Sequence, residues 1–136
     1  PDLSLIILPE CGGRTDIKHK KYLAGPPELV AEISDSSRAI DLHLKKDDYR
    51  RAGVLEYIVL CIEKPKLHWF RLKAGGEIRA DSRGIHRSRV FPGLWIDGPA
   101  LLARNTSRLI EFVQQGIASS EHSDFVYRLQ AKRRKK

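Results

Sequence analysis

Two near-continuous apolar runs dominate the pattern of hydrophobic and polar positions, one at Leu29–Ile33 and the other at Glu56–Ile62. Runs of this kind, without strict alternation, are typical of strands that are covered on both faces. The segment between them has helical periodicity from about Ser37 to Ala52, and Gly53 is a suitable C-terminal stop. Because a strand, a helix and a strand joined by short links favour a right-handed crossover, we expect parallel neighbouring strands with the helix covering one face.

Shorter patterns predict the rest of an α/β fold with a mixed (α+β) sheet. Leu3–Leu8 is expected to form a strand beside Leu29–Ile33, and the glycine- and proline-rich stretch 9–27 is expected to be a basic loop with at most one short turn. Two C-terminal helices are predicted to begin after Asn105 and Ser119. An antiparallel meander at one sheet edge is predicted for Leu67–Leu72, Glu77–Ala80 and Ile85–Val90.

Polar side chains occupy two positions where the pattern predicts core. Glu32 lies in the middle of an apolar strand, and a buried carboxylate is costly unless it is paired, hydrogen-bonded or bound to a metal. On the following helix, Lys45 shares one face with Leu42 and Tyr49, since residues three and four apart stack on each other. Asp41 lies one turn before Lys45 and can pair with it. An acid on a strand and an amine on the next helix are therefore predicted to meet between two layers.

Spacing alone leaves two interpretations of Glu32 and Lys45 open. They could form a functional site, or they could be a buried ion pair that fixes the helix against the strand. Such pairs are seldom kept for stability, because burial costs about what the Coulomb attraction returns. Ser34 lies on the same strand face as Glu32 and could hydrogen-bond Glu32 or a water, or serve a structural role. Lys46 is rotated away from this face, and we expect it to point to solvent.

Length, composition and charge are typical of a single soluble globular domain. The 136 residues suffice for one domain with a real core, and 41% hydrophobic with 31% charged residues is ordinary for a soluble globular chain. No apolar run approaches the length of a membrane span, and no signal peptide opens the chain. The net charge is +8, of which the tail 132–136 supplies +5. That tail could contact phosphates, although a solvated, disordered end is the commoner structure for such a sequence.

Other candidate groups give weaker signals. Trp69 could stack on a nucleic-acid base, but an aromatic residue in an alternating strand more often packs in the core. Cys11 and Cys61 show no metal or redox spacing, and a reduced core thiol at Cys61 fits a cytoplasmic protein. No histidine has the spacing of a metal ligand, which applies to His19, His43, His68, His86 and His122.

The motifs around this core resemble a known family. The strings PELVAEISDSS from Pro27, D-x-x-x-K from Asp41 to Lys45, and YRRAGVLEYIV from Tyr49 are similar to those of the Uma-type putative restriction endonucleases, within the PD-(D/E)XK nuclease superfamily. Pro1-Asp2 looks like the "PD" element, and VFPGL at 90–94 also matches. The resemblance implies a restriction endonuclease-like core over 1–102, followed by a helical appendage at 103–131 and a basic tail at 132–136.

The resemblance also implies a function and a set of site residues. It implies a metal-dependent DNA endonuclease in which Asp2 and Glu32 bind Mg²⁺, with Mn²⁺ as a substitute, and Lys45 completes the catalytic set. The usual superfamily lysine stands two residues after the second acid, where this chain has Ser34. Asp41 is expected to orient Lys45 rather than to bind metal. Duplex DNA is the expected substrate, and cutting both strands would favour a homodimer.

One departure from the family pattern supports a second hypothesis. The chain begins at Pro1 and has no methionine, and the resemblance implies that a helix and a hairpin precede the "PD" strand. We therefore expect an N-terminally truncated core. Three features favour an inactive nucleic-acid- or partner-binding module that retains the nuclease fold. They are the missing N-terminal segment, the absence of a lysine two residues after Glu32, and the modest net charge of +3 outside the tail. Intact Asp2, Glu32 and Lys45 favour the enzyme.

Overall fold

The computed structural model of the chain describes residues 1–18, 22–35 and 40–135. The strands in these ranges are β1 (Leu3–Leu5), β2 (Asp16–Lys18), β3 (Tyr22–Ala24), β4 (Leu29–Ser34), β5 (Glu56–Cys61), β6 (Lys66–Arg71), β7 (Ile85–Arg87) and β8 (Trp95–Asp97). The helices are α1 (Lys46–Ala52), α2 (Gly98–Leu102), α3 (Thr106–Ile117) and α4 (Ser120–Arg134). A 3₁₀ turn at Pro9–Cys11 and a π-helical segment at Ile40–Lys45 complete the set.

The centre of the fold is a four-stranded mixed sheet with the order β1-β4-β5-β6. β4 and β5 are parallel, while β1 pairs antiparallel with β4 and β6 pairs antiparallel with β5. The predicted mixed sheet and the predicted parallel crossover are both confirmed. The described part of the covering helix runs from Ile40 to Ala52, and its predicted start at Ser37 lies outside the described residues.

The two faces of this sheet carry different layers, because side chains alternate along each strand. The face that we call the helix face is covered by the π-helical segment and α1, which contribute Leu42 and Tyr49 to its core. The opposite face, the hairpin face, is covered by the region of β7 and β8. The buried residues of the helix face include Val30, Tyr57, Val59 and Cys61, and those of the hairpin face include Leu29, Ile58, Trp69 and Ile78.

The first strand is shorter than predicted. β1 ends at Leu5 rather than Leu8, and the backbone N–H of Ile7 bonds the Glu28 carboxylate at 2.8 Å instead of a neighbouring strand. The partner strand offers no ladder beyond that point, because Leu29 is its first residue and the two residues at 26–27 are prolines without N–H donors. The predicted loop at 9–27 is also wrong in part, since β2 and β3 form an antiparallel hairpin within it.

The predicted meander is correct only in its first strand. β6 joins the sheet, but Glu77–Ala80 contributes a single bridge, between Glu77 and Phe70. β7 ends at Arg87 and pairs with β8 in a separate two-stranded hairpin. The reason is a long-range contact, because the Glu56 carboxylate accepts hydrogen bonds from the backbone N–H groups of Arg89 and Val90 at 2.7 and 3.1 Å. These amides are therefore unavailable for a longer strand.

The C-terminal helices begin where the caps predict. The Asn105 side chain accepts a bond from the N–H of Arg108, and the Ser119 hydroxyl accepts one from the N–H of His122. α3 packs against β8, and α4 packs against the 3₁₀ turn at 9–11. α4 extends to Arg134, so the first three basic residues of the tail are helical rather than disordered.

Trp69 lies in the core, and its partner is the second buried carboxylate of the sheet. The indole N–H donates to Glu56 Oε2 at 3.1 Å, and the Ser88 hydroxyl donates to the same oxygen at 2.7 Å. With the two backbone amides on Oε1, Glu56 receives four hydrogen bonds while only 1% of it is exposed. The alternative that Trp69 stacks on a base is wrong, and Glu56 joins β5 to the segment after β7.

We predict that Glu56→Ala lowers the free energy of unfolding by at least about 3 kcal/mol, because several buried donors lose their acceptor at once. Urea denaturation followed by tryptophan fluorescence and by circular dichroism measures the loss. The control is Glu63→Ala at an exposed turn position, which should change stability by less than about 0.5 kcal/mol. Equal effects of the two substitutions would contradict a structural role for Glu56.

Candidate active site

Glu32 is a buried carboxylate on the helix face of β4. Only 6% of the residue is exposed, because the π-helical segment and α1 lie over this part of the strand. The Tyr49 hydroxyl donates a hydrogen bond to Oε1 at 2.7 Å, and the Lys45 ammonium lies 3.4 Å from Oε2. Both carboxylate oxygens therefore have side-chain partners from the helical layer.

Lys45 lies between two carboxylates. It is the last residue of the π-helical segment, a rare helical form that is frequent at functional sites. Its Nζ is 2.8 Å from Asp41 Oδ1 and 3.4 Å from Glu32, so the structure brings together all three residues that the spacing placed in one interface. Asp41 itself is 1% exposed, and its backbone oxygen accepts a hydrogen bond from the Tyr57 hydroxyl. This bond anchors the π-helical segment to the sheet beneath it.

The charge state of Lys45 follows from these contacts. The hydrogen bond to Asp41, and then the charges of Glu32 and Asp41, raise the pKa of Lys45 above its ordinary value although partial burial opposes them. The ammonium therefore keeps its proton at every physiological pH. It is suited to stabilise negative charge and to donate hydrogen bonds, and it is not suited to accept a proton as a base.

Lys46 differs from the prediction. Lys45, not Lys46, approaches Glu32, but Lys46 does not point to solvent either. Its Nζ lies 4.6 Å from the centre of the Phe70 ring on β6, in a cation–π contact. The helical spacing correctly predicted that the Lys46 side chain is directed away from Glu32. It could not predict the contact with Phe70, because that ring belongs to a strand distant in sequence.

Asp2 lies at the edge of the same region. Its Oδ2 accepts a hydrogen bond from the backbone N–H of Ile33 at 2.7 Å. The antiparallel register pairs Leu3 with Ala31, so the next position along it brings Asp2 opposite Glu32. Asp2 is exposed, in contrast with Glu32.

Tyr49 is a site residue whose role the sequence did not reveal. Its pKa is raised, first by burial, then by the hydrogen bond to Glu32, and further by the charges of Glu32, Asp2 and Asp41. The hydroxyl therefore stays protonated and remains a donor to Glu32. The only sequence signal was its helical spacing from Lys45, which indicates the inward face but no partner.

Ser34 is buried on the same face of β4 as Glu32. It is 0% exposed, and its Oγ makes no hydrogen bond within the described part of the chain. Of the three alternatives for Ser34, the hydrogen bond to Glu32 is not formed. A buried hydroxyl of this kind calls for a water or a ligand atom, since leaving it unsatisfied is costly.

The donor set of the cluster fits a hard cation. Asp2 and Glu32 offer carboxylate oxygens, and the unsatisfied Ser34 hydroxyl can bond a coordinated water. Mg²⁺ is commonly held by one or two carboxylates while the remaining ligands are waters and substrate oxygens. In the described ranges no group of three or more His, Cys, Asp or Glu residues is arranged to hold a metal, so any such site here is of this sparse kind. His19 lies outside those ranges.

Residues 1–102 match the family Uma2, described as putative restriction endonuclease. The chain belongs to the Uma2 family. Its Uma2 region includes Asp2, Glu32 and Lys45 and ends with α2, so α3 and α4 lie beyond the match. No curated protein matches the chain significantly. Across the described residues, no helix has the length and apolarity needed to span a membrane.

We predict a specific pH profile for the contribution of Lys45 to the stability of this Uma2 site. Its pKa is raised in the folded state, so its stabilising effect is complete below the unfolded value, about 10.4, and is lost only as pH rises through the higher folded value. The difference in unfolding free energy between the parent and Lys45→Met should therefore stay constant from about pH 7 to 9.5. It should decline above about pH 10.5.

Chemical denaturation at a series of pH values measures this difference. Lys64→Met, which removes an amine from the exposed turn after β5, is the matched control and should show no such decline. If the difference in unfolding free energy between the parent and Lys45→Met had already disappeared near pH 9, the pKa of Lys45 would be lowered in the folded state, contrary to the observed contacts.

Proposed function

We propose that this Uma2 protein is a magnesium-dependent endonuclease that hydrolyses phosphodiester bonds in DNA. The observation that carries the proposal is the buried Glu32 carboxylate, which lies opposite Asp2 in the strand register and 3.4 Å from the Lys45 ammonium. The family description supports a nuclease activity of the restriction type. We further propose duplex DNA as the substrate and a homodimer for cleavage of both strands. A cytoplasmic location would keep Cys11 and Cys61 reduced.

In this proposal Asp2 and Glu32 would hold Mg²⁺, or Mn²⁺ in its place, and the bound ion would neutralise phosphate charge and lower the pKa of a water. Lys45 would orient the attacking water and stabilise the negative charge that develops on the phosphate oxygens, because its raised pKa keeps it positive. Asp41, 2.8 Å from Nζ, would hold Lys45 in place. Hydrolysis forms one P–O bond from water and breaks another, and the proton lost by the water balances the one gained by the leaving oxygen.

A second candidate is a DNA- or partner-binding module that has the nuclease fold without its chemistry. Two observations favour it. Both oxygens of Glu32 are already engaged, by Tyr49 and Lys45, as in a purely structural network. In addition, the described residues contain no metal-type cluster of three ligands. The two candidates differ in what happens when Glu32 loses its charge.

We predict that Glu32→Gln abolishes magnesium-dependent cleavage and leaves the fold intact, because the substitution keeps the shape and removes the charge that would hold the metal. Lys45→Ala should lower the cleavage rate by at least about 100-fold, since a positioned donor to the developing charge is lost. Conversion of supercoiled plasmid by the full-length protein, with magnesium or manganese, is the assay. Lys46→Ala is the matched control and should retain most of the activity.

This control separates the adjacent lysines, because Lys46 contacts Phe70 and not Glu32. Absence of cleavage by the full-length parent on duplex and single-stranded DNA would favour the binding module. Full cleavage activity in Glu32→Gln would show that the Glu32 carboxylate is not required for catalysis.

We also predict that magnesium or manganese raises the unfolding temperature of the parent. Above the dissociation constant, each tenfold increase in metal should add about 1.4 kcal/mol, because only the folded chain presents the site. The shift should vanish in Glu32→Gln and persist in Lys45→Ala, whose amine is not a ligand. Asp47→Asn, at an exposed position on α1, is a control that should retain the shift. An equal shift in the parent and Glu32→Gln would place metal binding elsewhere.

A further inference from the structure

A groove lined by arginines lies between the segment 77–89 and helix α4. It consists of two adjoining cavities of about 440 and 290 Å³, which share Ser88, Arg89 and Glu121 in their walls. We call it the arginine groove. Its charged residues are Arg71, Arg79, Arg87, Arg89 and Arg128, together with Glu77, Asp81, Glu121 and Asp124.

Part of this charge is already compensated within the protein. Arg87 bonds Asp81 at 2.7 Å and stacks on the Trp95 ring. The four remaining arginines have no ion pair with any residue in the described ranges, and they face three acids, Glu77, Glu121 and Asp124. The arginine groove therefore has an excess of positive charge that is exposed and available to a ligand. The four arginines are Arg71, Arg79, Arg89 and Arg128.

The backbone is anchored at three of these four arginines, Arg71, Arg89 and Arg128. The Glu56 carboxylate binds the Ser88 hydroxyl and the Arg89 N–H at 2.7 Å each, which fixes the wall at the middle of the groove. Arg71 is the last residue of β6. On α4, Arg128 lies one helical turn beyond Asp124 and on the same face. Cationic groups on a fixed backbone lose less freedom when a ligand binds.

The shape and the residue type indicate the chemistry of the ligand. Arginine presents a planar fork of N–H donors that matches phosphate oxygens in a bidentate manner. Two adjoining cavities with arginines in the walls of both suit a series of phosphates better than one isolated anion. Resting on the proposed nuclease function, we propose that the arginine groove binds the phosphate backbone of the DNA substrate. Ser88 and Glu56 place it on the hairpin face, opposite Glu32, so it contacts DNA away from the cleaved bond.

This proposal assigns a role to a helix that lies beyond the family match. Arg128, Glu121 and Asp124 belong to α4, whereas the match ends at residue 102. The two acids restrict close approach of phosphates at their end of the groove, because like charges repel. The backbone is therefore expected to follow Arg71, Arg79 and Arg89 most closely and to reach Arg128 at the rim.

The test is binding of a fluorescently labelled DNA duplex of about two helical turns to the full-length protein, with EDTA present to prevent cleavage. Arg79→Gln/Arg89→Gln should weaken binding by about tenfold and reduce the slope of log K against log salt by about 2, as expected for two lost phosphate contacts. The matched control is Arg50→Gln/Arg51→Gln on α1, which removes the same net charge from residues paired with Asp47 and Asp48. It should leave the salt slope nearly unchanged.

Circular dichroism checks that each variant is folded. Arg79→Lys/Arg89→Lys, which keeps the charge, should recover most of the slope, and Arg128→Gln provides an independent single change on α4 with a slope reduction of up to about 1. Unchanged affinity and slope in both glutamine variants of the groove, or an equal loss in the α1 control, would overturn the proposal, as would absence of DNA binding by the parent. Cleavage is scored separately, so that a parent that binds through the groove but does not cut would refute the nuclease and support the groove.

Discussion

A carboxylate inside a protein must be supplied with donors, and this requirement shapes the fold around three buried glutamates. Glu28 accepts bonds from the backbone N–H groups of Ile7 and Arg14, and Glu56 accepts two backbone amides, an indole and a hydroxyl. Glu32 differs from both, because it accepts its hydrogen bond from the hydroxyl of Tyr49, and the charged group nearest to it is the side-chain ammonium of Lys45. Backbone amides cannot move without unfolding the segment, whereas side chains can rotate away. Glu28 and Glu56 are thus bound to backbone amides, whereas Glu32 is bound to side chains that can move while the backbone stays folded.

The structural carboxylate Glu56 and the candidate site residue Glu32 lie on opposite faces of the mixed sheet. The hairpin face contains Trp69 and the Glu56 network, which join β5 and β6 to the segment after β7. The helix face contains Glu32, over which the π-helical segment and α1 lie. Because Asp41 is anchored through its backbone oxygen to Tyr57, the position of Lys45 depends on the sheet beneath it and not only on the helix that carries it.

Local periodicity was sufficient to predict the centre of the molecule. Near-continuous apolar runs in the strands and a period of about 3.6 in the helix predicted that Glu32 and Lys45 lie in one interface, and chain connectivity predicted the parallel pair. The prediction failed where a distant side chain decides local structure. The Glu56 carboxylate accepts the backbone N–H of Arg89, so β7 does not extend to that residue. The Glu28 carboxylate accepts the N–H of Ile7, which would otherwise extend β1. The ring of Phe70 makes a cation–π contact with Lys46. None of these contacts leaves a signal in the neighbouring sequence, since each joins residues more than twenty positions apart.

The shared position of Lys45 has an electrostatic consequence. Among the side chains, Asp2, Glu32 and Asp41 contribute three formal negative charges around the one ammonium of Lys45, so the side chains of the cluster sum to a formal charge of −2. A single divalent ion matches that charge, whereas monovalent ions would have to enter the crowded space beside Glu32 in pairs. If Glu32 released Lys45, the lysine would still be paired with Asp41, and no buried charge would be stranded during the exchange. In the proposed metal site, the charge of these side chains would therefore favour a divalent over a monovalent cation, independently of coordination geometry.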